Sequence, residues 1–158
     1  MAENQKSHGG IIIFTIVFAM LLMLLPLPDS LRFFRPEWVL ITLIYWAMAV
    51  PRLVGVGFAW VVGLLMDVMM GGAMGVLAFS YTLVIYLVLQ FHLQLRQYPL
   101  WQQALSILSL VLLVDIVTVL VSPTMAGWHV WLPAVSSTVL WPVMYSLLRT
   151  VRRTFNVS

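Results

Sequence analysis

The charged side chains of this chain are confined to the edges of its apolar runs. Of eight basic and five acidic residues, only Asp67 and Asp115 sit deep inside a run. A chain of 158 residues that is 63% hydrophobic cannot hide so much apolar surface in a water-soluble core. Its main solvent is expected to be lipid, and its fold an all-α membrane helix bundle. A carboxylate in hydrocarbon is costly unless it has a partner or keeps its proton. The two interior acids are therefore the first candidates for whatever the chain does.

Charged residues make up 8%, against roughly 25% in ordinary soluble proteins. No polar segment is long enough to fold as an aqueous domain, so one integral membrane domain over 1–158 is expected. The chain has no cysteine, which excludes disulfides, thiol nucleophiles and cysteine-held metals. The net charge of +3 does not point to nucleic acid, because the basic residues are scattered among loops and form no stripe.

Crossing a hydrocarbon core of about 30 Å takes roughly 20 helical residues. Six apolar segments are present, at about 10–25, 37–50, 53–71, 75–95, 100–121 and 131–148. The runs are continuous and rich in Leu, Val, Ile and Met, which suits helices and not the alternating strands of a barrel. Prolines 26, 28, 36, 51 and 123 punctuate them. The second run is short, so it tilts, borrows its flanks or does not fully cross. The first run could be a secretory signal, but it ends in Leu-Pro-Leu-Pro-Asp with no small-x-small cleavage site and reads as an uncleaved span.

Orientation follows from the loops. With both termini in the cytoplasm, the inner side holds Lys6, Arg52, Arg96, Arg149, Arg152 and Arg153, and the outer side only Arg32 and Arg35. This satisfies the positive-inside bias. Arg149, Arg152 and Arg153 read first as a topology signal and second as a docking patch for anionic lipid or a cytoplasmic partner. Trp38, Trp101, Trp128 and Trp131 fall near boundaries, as interfacial aromatics do.

Asp67 lies fifteen residues past Arg52, and Asp115 fifteen past Leu100. Both carboxyls then stand about 22 Å from the cytoplasmic edge, in the outer half of the membrane. Asp67 is flanked on one helix face by Gly63 and Gly71, with Gly75 a step further. Such a bare face lets another helix approach closely. Three readings of the acids stay open. Each is protonated or hydrogen-bonded within the bundle and ties the third helix to the fifth, or pairs with Arg32 or Arg35 from the outer loop, or serves chemistry or proton transport. Two membrane aspartyl proteases are disfavoured: the residues before Asp67 are Gly63-Leu64-Leu65-Met66, not Gly-x-Gly, and asparagine occurs only at Asn4 and Asn156.

Other constellations are weak. His8, His92 and His129 show no metal-ligand spacing. Gly71-Gly72-Ala73-Met74-Gly75 lacks the Lys-Ser/Thr of a phosphate loop and reads as a tight turn between the third and fourth helices. Proline at position 36 and Glu37 suit the start of the second helix. Trp141-Pro142 inside the sixth run is a tolerated bend or part of a groove for another helix. The ten methionines read as filler. No cofactor or metal is called for.

Taken in order, several stretches resemble the MreD family of rod-shape-determining bacterial membrane proteins. They are Phe34-Arg35-Pro36-Glu37-Trp38-Val39-Leu40 with Ile44-Tyr45-Trp46, then Gly57-Phe58 through Gly63-Leu64-Leu65-Met66-Asp67 and Gly75, then Leu100-Trp101-Gln102-Gln103-Ala104 and Val114-Asp115. Leu140-Trp141-Pro142 and Leu147-Leu148-Arg149 with Arg152-Arg153 complete the set. The uncharged loop from Ser122 to Val130 gives no match. The resemblance implies a non-enzymatic scaffold of the elongasome in the inner membrane, binding MreC and through it RodA, its transpeptidase and MreB. It also implies a six-helix fold like that of the substrate-binding components of energy-coupling-factor transporters. A vitamin-binding transporter subunit is therefore the alternative function. Helices three to five are expected to pack around Asp67 and Asp115. Gly55, Ala59, Gly63 and Gly71 serve either internal packing or a groove for the partner helix, with Trp141 and Pro142 as further groove candidates.

Overall fold

The computed structural model describes residues 2–123 and 127–157 and, within them, every side chain except those of residues 2–7 and 33. The side chain of Lys6 and residues 124–126 of the uncharged loop lie outside the described residues. Regular structure is all helical, with no strand among the described residues. Six α-helices follow in chain order: α1 (Ala2–Leu24), α2 (Trp38–Ala49), α3 (Val56–Met70), α4 (Val76–Gln97), α5 (Leu100–Val121) and α6 (Leu132–Thr154). Short 3-10 turns at Arg32–Phe34 and Trp128–Trp131 lead into α2 and α6.

The breaks fall where the chemistry of the chain requires them. The stretch holding Pro26 and Pro28 ends α1, Pro51 follows the C-cap Val50 of α2, and Pro99 caps α5 at its start. Proline carries no N–H and disfavours helix in the residue before it. Gly71, in the left-handed region at φ 66°, ends α3. The sixth helix runs through Pro142 as one element. A departure from helical dihedrals falls at Phe91 of α4 (φ −110°, ψ 15°).

At the centre lies α2, not the α3–α5 group that the two aspartates suggest. Ten consecutive residues, Val39 to Met48, are buried on every side of that helix. A helix that is apolar all round belongs in the middle of a bundle. It packs against α1, α4 and α6, while α4 also touches α5 and α5 touches α6. Four helices thus close a ring, with α1 laid against α2 and α3 against α4. The indole N–H of Trp46 pins α2 to α1 by donating to Thr15 Oγ1 at 2.9 Å.

Outward surfaces are strongly apolar. Phe14, Phe79, Leu120 and Val139 are each more than half exposed on α1, α4, α5 and α6. Large side chains presented this way around a whole bundle face hydrocarbon. Three helical stretches, Val76–Gln97, Leu100–Val121 and Trp128–Thr154, are long and apolar enough to cross a membrane. The stretches His8–Leu24, Trp38–Ala49 and Val56–Met70 are apolar but shorter. At 1.5 Å per residue, the 12 residues of α2 rise only about 18 Å.

Candidate functional site

The polar chemistry of the bundle sorts to its two ends. One end carries the starts of α2, α4 and α6 and the ends of α1, α3 and α5. There the backbone N–H of Glu37 donates to Ser137 Oγ at 2.9 Å, and that hydroxyl donates on to the Pro133 carbonyl at 2.7 Å. So α6 supplies the cap for α2.

Asp67 performs the same service twice. Its backbone oxygen accepts from the Gly71 N–H at 3.1 Å and helps close α3. Its carboxylate accepts from the N–H groups of Gly75 (2.9 Å), Leu77 (3.0 Å) and Ala78 (3.3 Å). Those are among the unsatisfied donors at the start of α4, where a negative charge also meets the positive end of the helix dipole. Asp67 is 2% exposed. Gly71 and Gly75 both have positive φ, which lets the chain turn sharply enough to bring α4 under the carboxylate. Gly63 fits the same junction. A Cβ on it would lie 2.5 Å from the Ala78 Cα, so only glycine lets the two backbones approach so closely.

The tie between α3 and α5 is not made by Asp67, whose acceptors are turned to α4. Neither is an ion pair with the outer-loop arginines. Arg35 donates from both terminal nitrogens to the Met23 and Leu25 carbonyls at the end of α1, and Arg32 is exposed in its 3-10 turn. The reason is local: the carbonyls of a helix C-terminus lie nearer to Arg35 than either acid and carry partial negative charge.

Asp115 is 7% exposed on α5, and its Oδ2 has no hydrogen-bond partner. The hydroxyl of Tyr81 on α4 and Nε of Arg35 are likewise buried without one. Glu37 acts electrostatically on both Tyr81 and Asp115, and Asp67 on Tyr81. The interior acids therefore share one neighbourhood with Glu37 and a tyrosine. Among the described residues no group of three or more His, Cys, Asp or Glu could hold a metal ion.

Of the groove candidates, Gly63 and Gly71 serve the α3–α4 junction, and Gly55, Ala59, Trp141 and Pro142 do not assemble into a groove. Gly55 precedes α3, with open space around it. Ala59 and Trp141 are 0% exposed, and the Trp141 indole donates to Gln103 Oε1 at 3.3 Å inside the bundle. Pro142 is partly buried beside it. An apolar groove of about 470 Å³ lies elsewhere, walled by Phe14, Phe18 and Leu22 of α1 and Leu147 of α6 and floored by Trp38 and Thr42 of α2. Sequence reasoning missed this groove, and with it Ser137, Gln103 and Thr15. The available signal for the last three was their polarity within apolar runs, where uncharged hydrogen-bonding side chains join helices.

Fold and polar contacts together define a helical membrane protein whose buried polar groups chiefly hold its own helices. The family model of the rod shape-determining protein MreD matches residues 5–151. The chain is 31% identical over 141 residues to the rod shape-determining protein MreD of Haemophilus influenzae, with 87% of each chain covered. It belongs to the MreD family, a family of rod-shape-determining membrane proteins. No solved structure matches it, so the likeness to transporter components gains no support from known folds.

Proposed function

We propose that this chain is a non-enzymatic scaffold of the bacterial elongasome, with several spans in the inner membrane and both termini in the cytoplasm. Its direct partner is MreC, whose single membrane helix lies in the groove between α1 and α6. RodA, its transpeptidase and MreB are reached through that contact. The observation that carries this reading is the groove itself: about 470 Å³, apolar, and floored by the central helix. Without a hydrophobic driving force between helices, shape and close packing decide association in lipid, and a preformed groove offers both. The loops are too short to form a catalytic domain.

The test is co-purification from native membranes. Leu22→Trp with Leu147→Trp fills the groove from both walls. MreC should accompany the parent chain and be lost from this variant, while the yield of the chain stays unchanged. Equal recovery of MreC by both contradicts the groove assignment. Recovery of an energy-coupling subunit or a bound vitamin in place of MreC overturns the scaffold for the transporter alternative.

A further inference from the structure

At the opposite end of the bundle a second cavity, of about 150 Å³, is lined by Tyr45, Met48, Ala49, Arg96, Tyr145 and Arg152. Arg96 lies in the last turn of α4 and Arg152 in the last turn of α6. Tyr45, near the end of α2, is 2% exposed. Among the described residues none of these four side chains makes a hydrogen bond, although their hydroxyls and guanidiniums can all donate. Among the described residues no acid lines the cavity. Arg149 and Arg153 add positive charge nearby, since both act electrostatically on Tyr45 together with Arg152.

A positive-inside bias accounts for arginines at this end, but it does not require them to converge. Nor does it require a tyrosine whose ring is packed inside the bundle to line the same cavity. A cavity of about 150 Å³ has room for a tetrahedral oxyanion. Guanidinium groups meet phosphate oxygens with paired N–H donors.

We propose that the cavity between the ends of α2, α4 and α6 binds a phosphate-bearing anion, held by Arg96 and Arg152 and by the hydroxyls of Tyr45 and Tyr145. The phosphate of an anionic lipid headgroup and free inorganic phosphate share this chemistry. The site rests on these residues alone and stands whether or not MreC occupies the groove.

The experiment uses the full chain in a neutral detergent. It is titrated separately with sodium phosphate, dihexanoyl phosphatidylglycerol and dihexanoyl phosphatidylcholine, following the melting temperature by tryptophan fluorescence. A saturable rise is expected with at least one of the two anionic titrants and not with phosphatidylcholine. A phosphatidylglycerol midpoint well below that of phosphate identifies a lipid headgroup, and equal or reversed midpoints identify the phosphate group alone. Arg96→Gln with Arg152→Gln should raise the midpoint by about tenfold or more. Arg149→Gln with Arg153→Gln, which removes the same charge from side chains outside the cavity lining, should raise it clearly less. Tyr45→Phe, which alters no charge, should raise it about fivefold and serves if the double arginine variant does not fold. No saturable rise with either anion, or equal losses in the two double variants, overturns the proposal, as does an unchanged midpoint in Tyr45→Phe.

Discussion

Asp67 and Gly63 work at one junction by different physics. The carboxylate supplies acceptors to three backbone N–H groups that begin α4, while the glycine removes the bulk that would keep α4 away. Asp67→Ala leaves those donors buried without acceptors and should cost about 1–3 kcal/mol. Asn keeps one carbonyl oxygen and is itself a good cap, so Asp67→Asn should cost clearly less. Melting the two variants side by side in detergent checks the order; equal losses would mean that the negative charge, and not the number of acceptors, matters. Gly63→Ala sets a Cβ at 2.5 Å from backbone, which no rotamer relieves. It should destabilise by about 1–3 kcal/mol, while Gly55→Ala, with nothing within 4 Å, should melt close to the parent. That Asp67 is shielded by neighbouring helices was legible from its place deep in an apolar run. Its partners were not, because backbone N–H groups carry no signature in a sequence and are aimed only once the turn at Gly71 to Gly75 has formed.

At the scale of elements, α2 sets the arrangement. It is the shortest α-helix, and α1, α4 and α6 pack around it. Leu43→Ala, at a fully buried position, should lower stability by about 2–5 kcal/mol. Val139→Ala, at a position 70% exposed on α6, should change it little. Thermal unfolding compares the two, and similar costs would contradict the central placement of α2. Helix ends were legible because proline and glycine act locally: Pro26 and Pro28 follow the end of α1, Pro51 follows α2 one residue on, and Gly71 ends α3. The centre of the bundle was not legible, for a physical reason. Lipid accepts the same side chains that a protein core accepts, so Val39-Leu40-Ile41 on the buried helix and Val61 or Leu65 on a lipid-facing surface of α3 read alike. The two aspartates drew attention to α3 and α5, whereas the crowded helix carries no charge at all within its length.

Across the whole molecule, polar groups at one end close the helices onto one another, and basic groups at the other surround an open cavity. The groove along α1 and α6 lies between these ends. It escaped sequence reasoning because it joins α1 and α2 to α6, far away in the chain, and each contributes mostly ordinary apolar residues. The candidates Ala59 and Trp141 failed as groove residues because small or bulky apolar side chains serve internal packing equally well. In the proposed topology the ends of α2, α4 and α6 share the cytoplasmic side and the α3–α4 turn faces outward. The chain has no cysteine, so single cysteines can be placed without background. The most direct measurement is labelling by a membrane-impermeant maleimide at Gly72, Arg52, Gln97 and Ala47, one at a time. Gly72→Cys should react from outside the inner membrane, Arg52→Cys and Gln97→Cys only once that membrane is opened, and Ala47→Cys on α2 only after denaturation. Labelling of Arg52→Cys or Gln97→Cys from outside would contradict the proposed topology, and labelling of Ala47→Cys in the native protein would contradict a bundle built around α2.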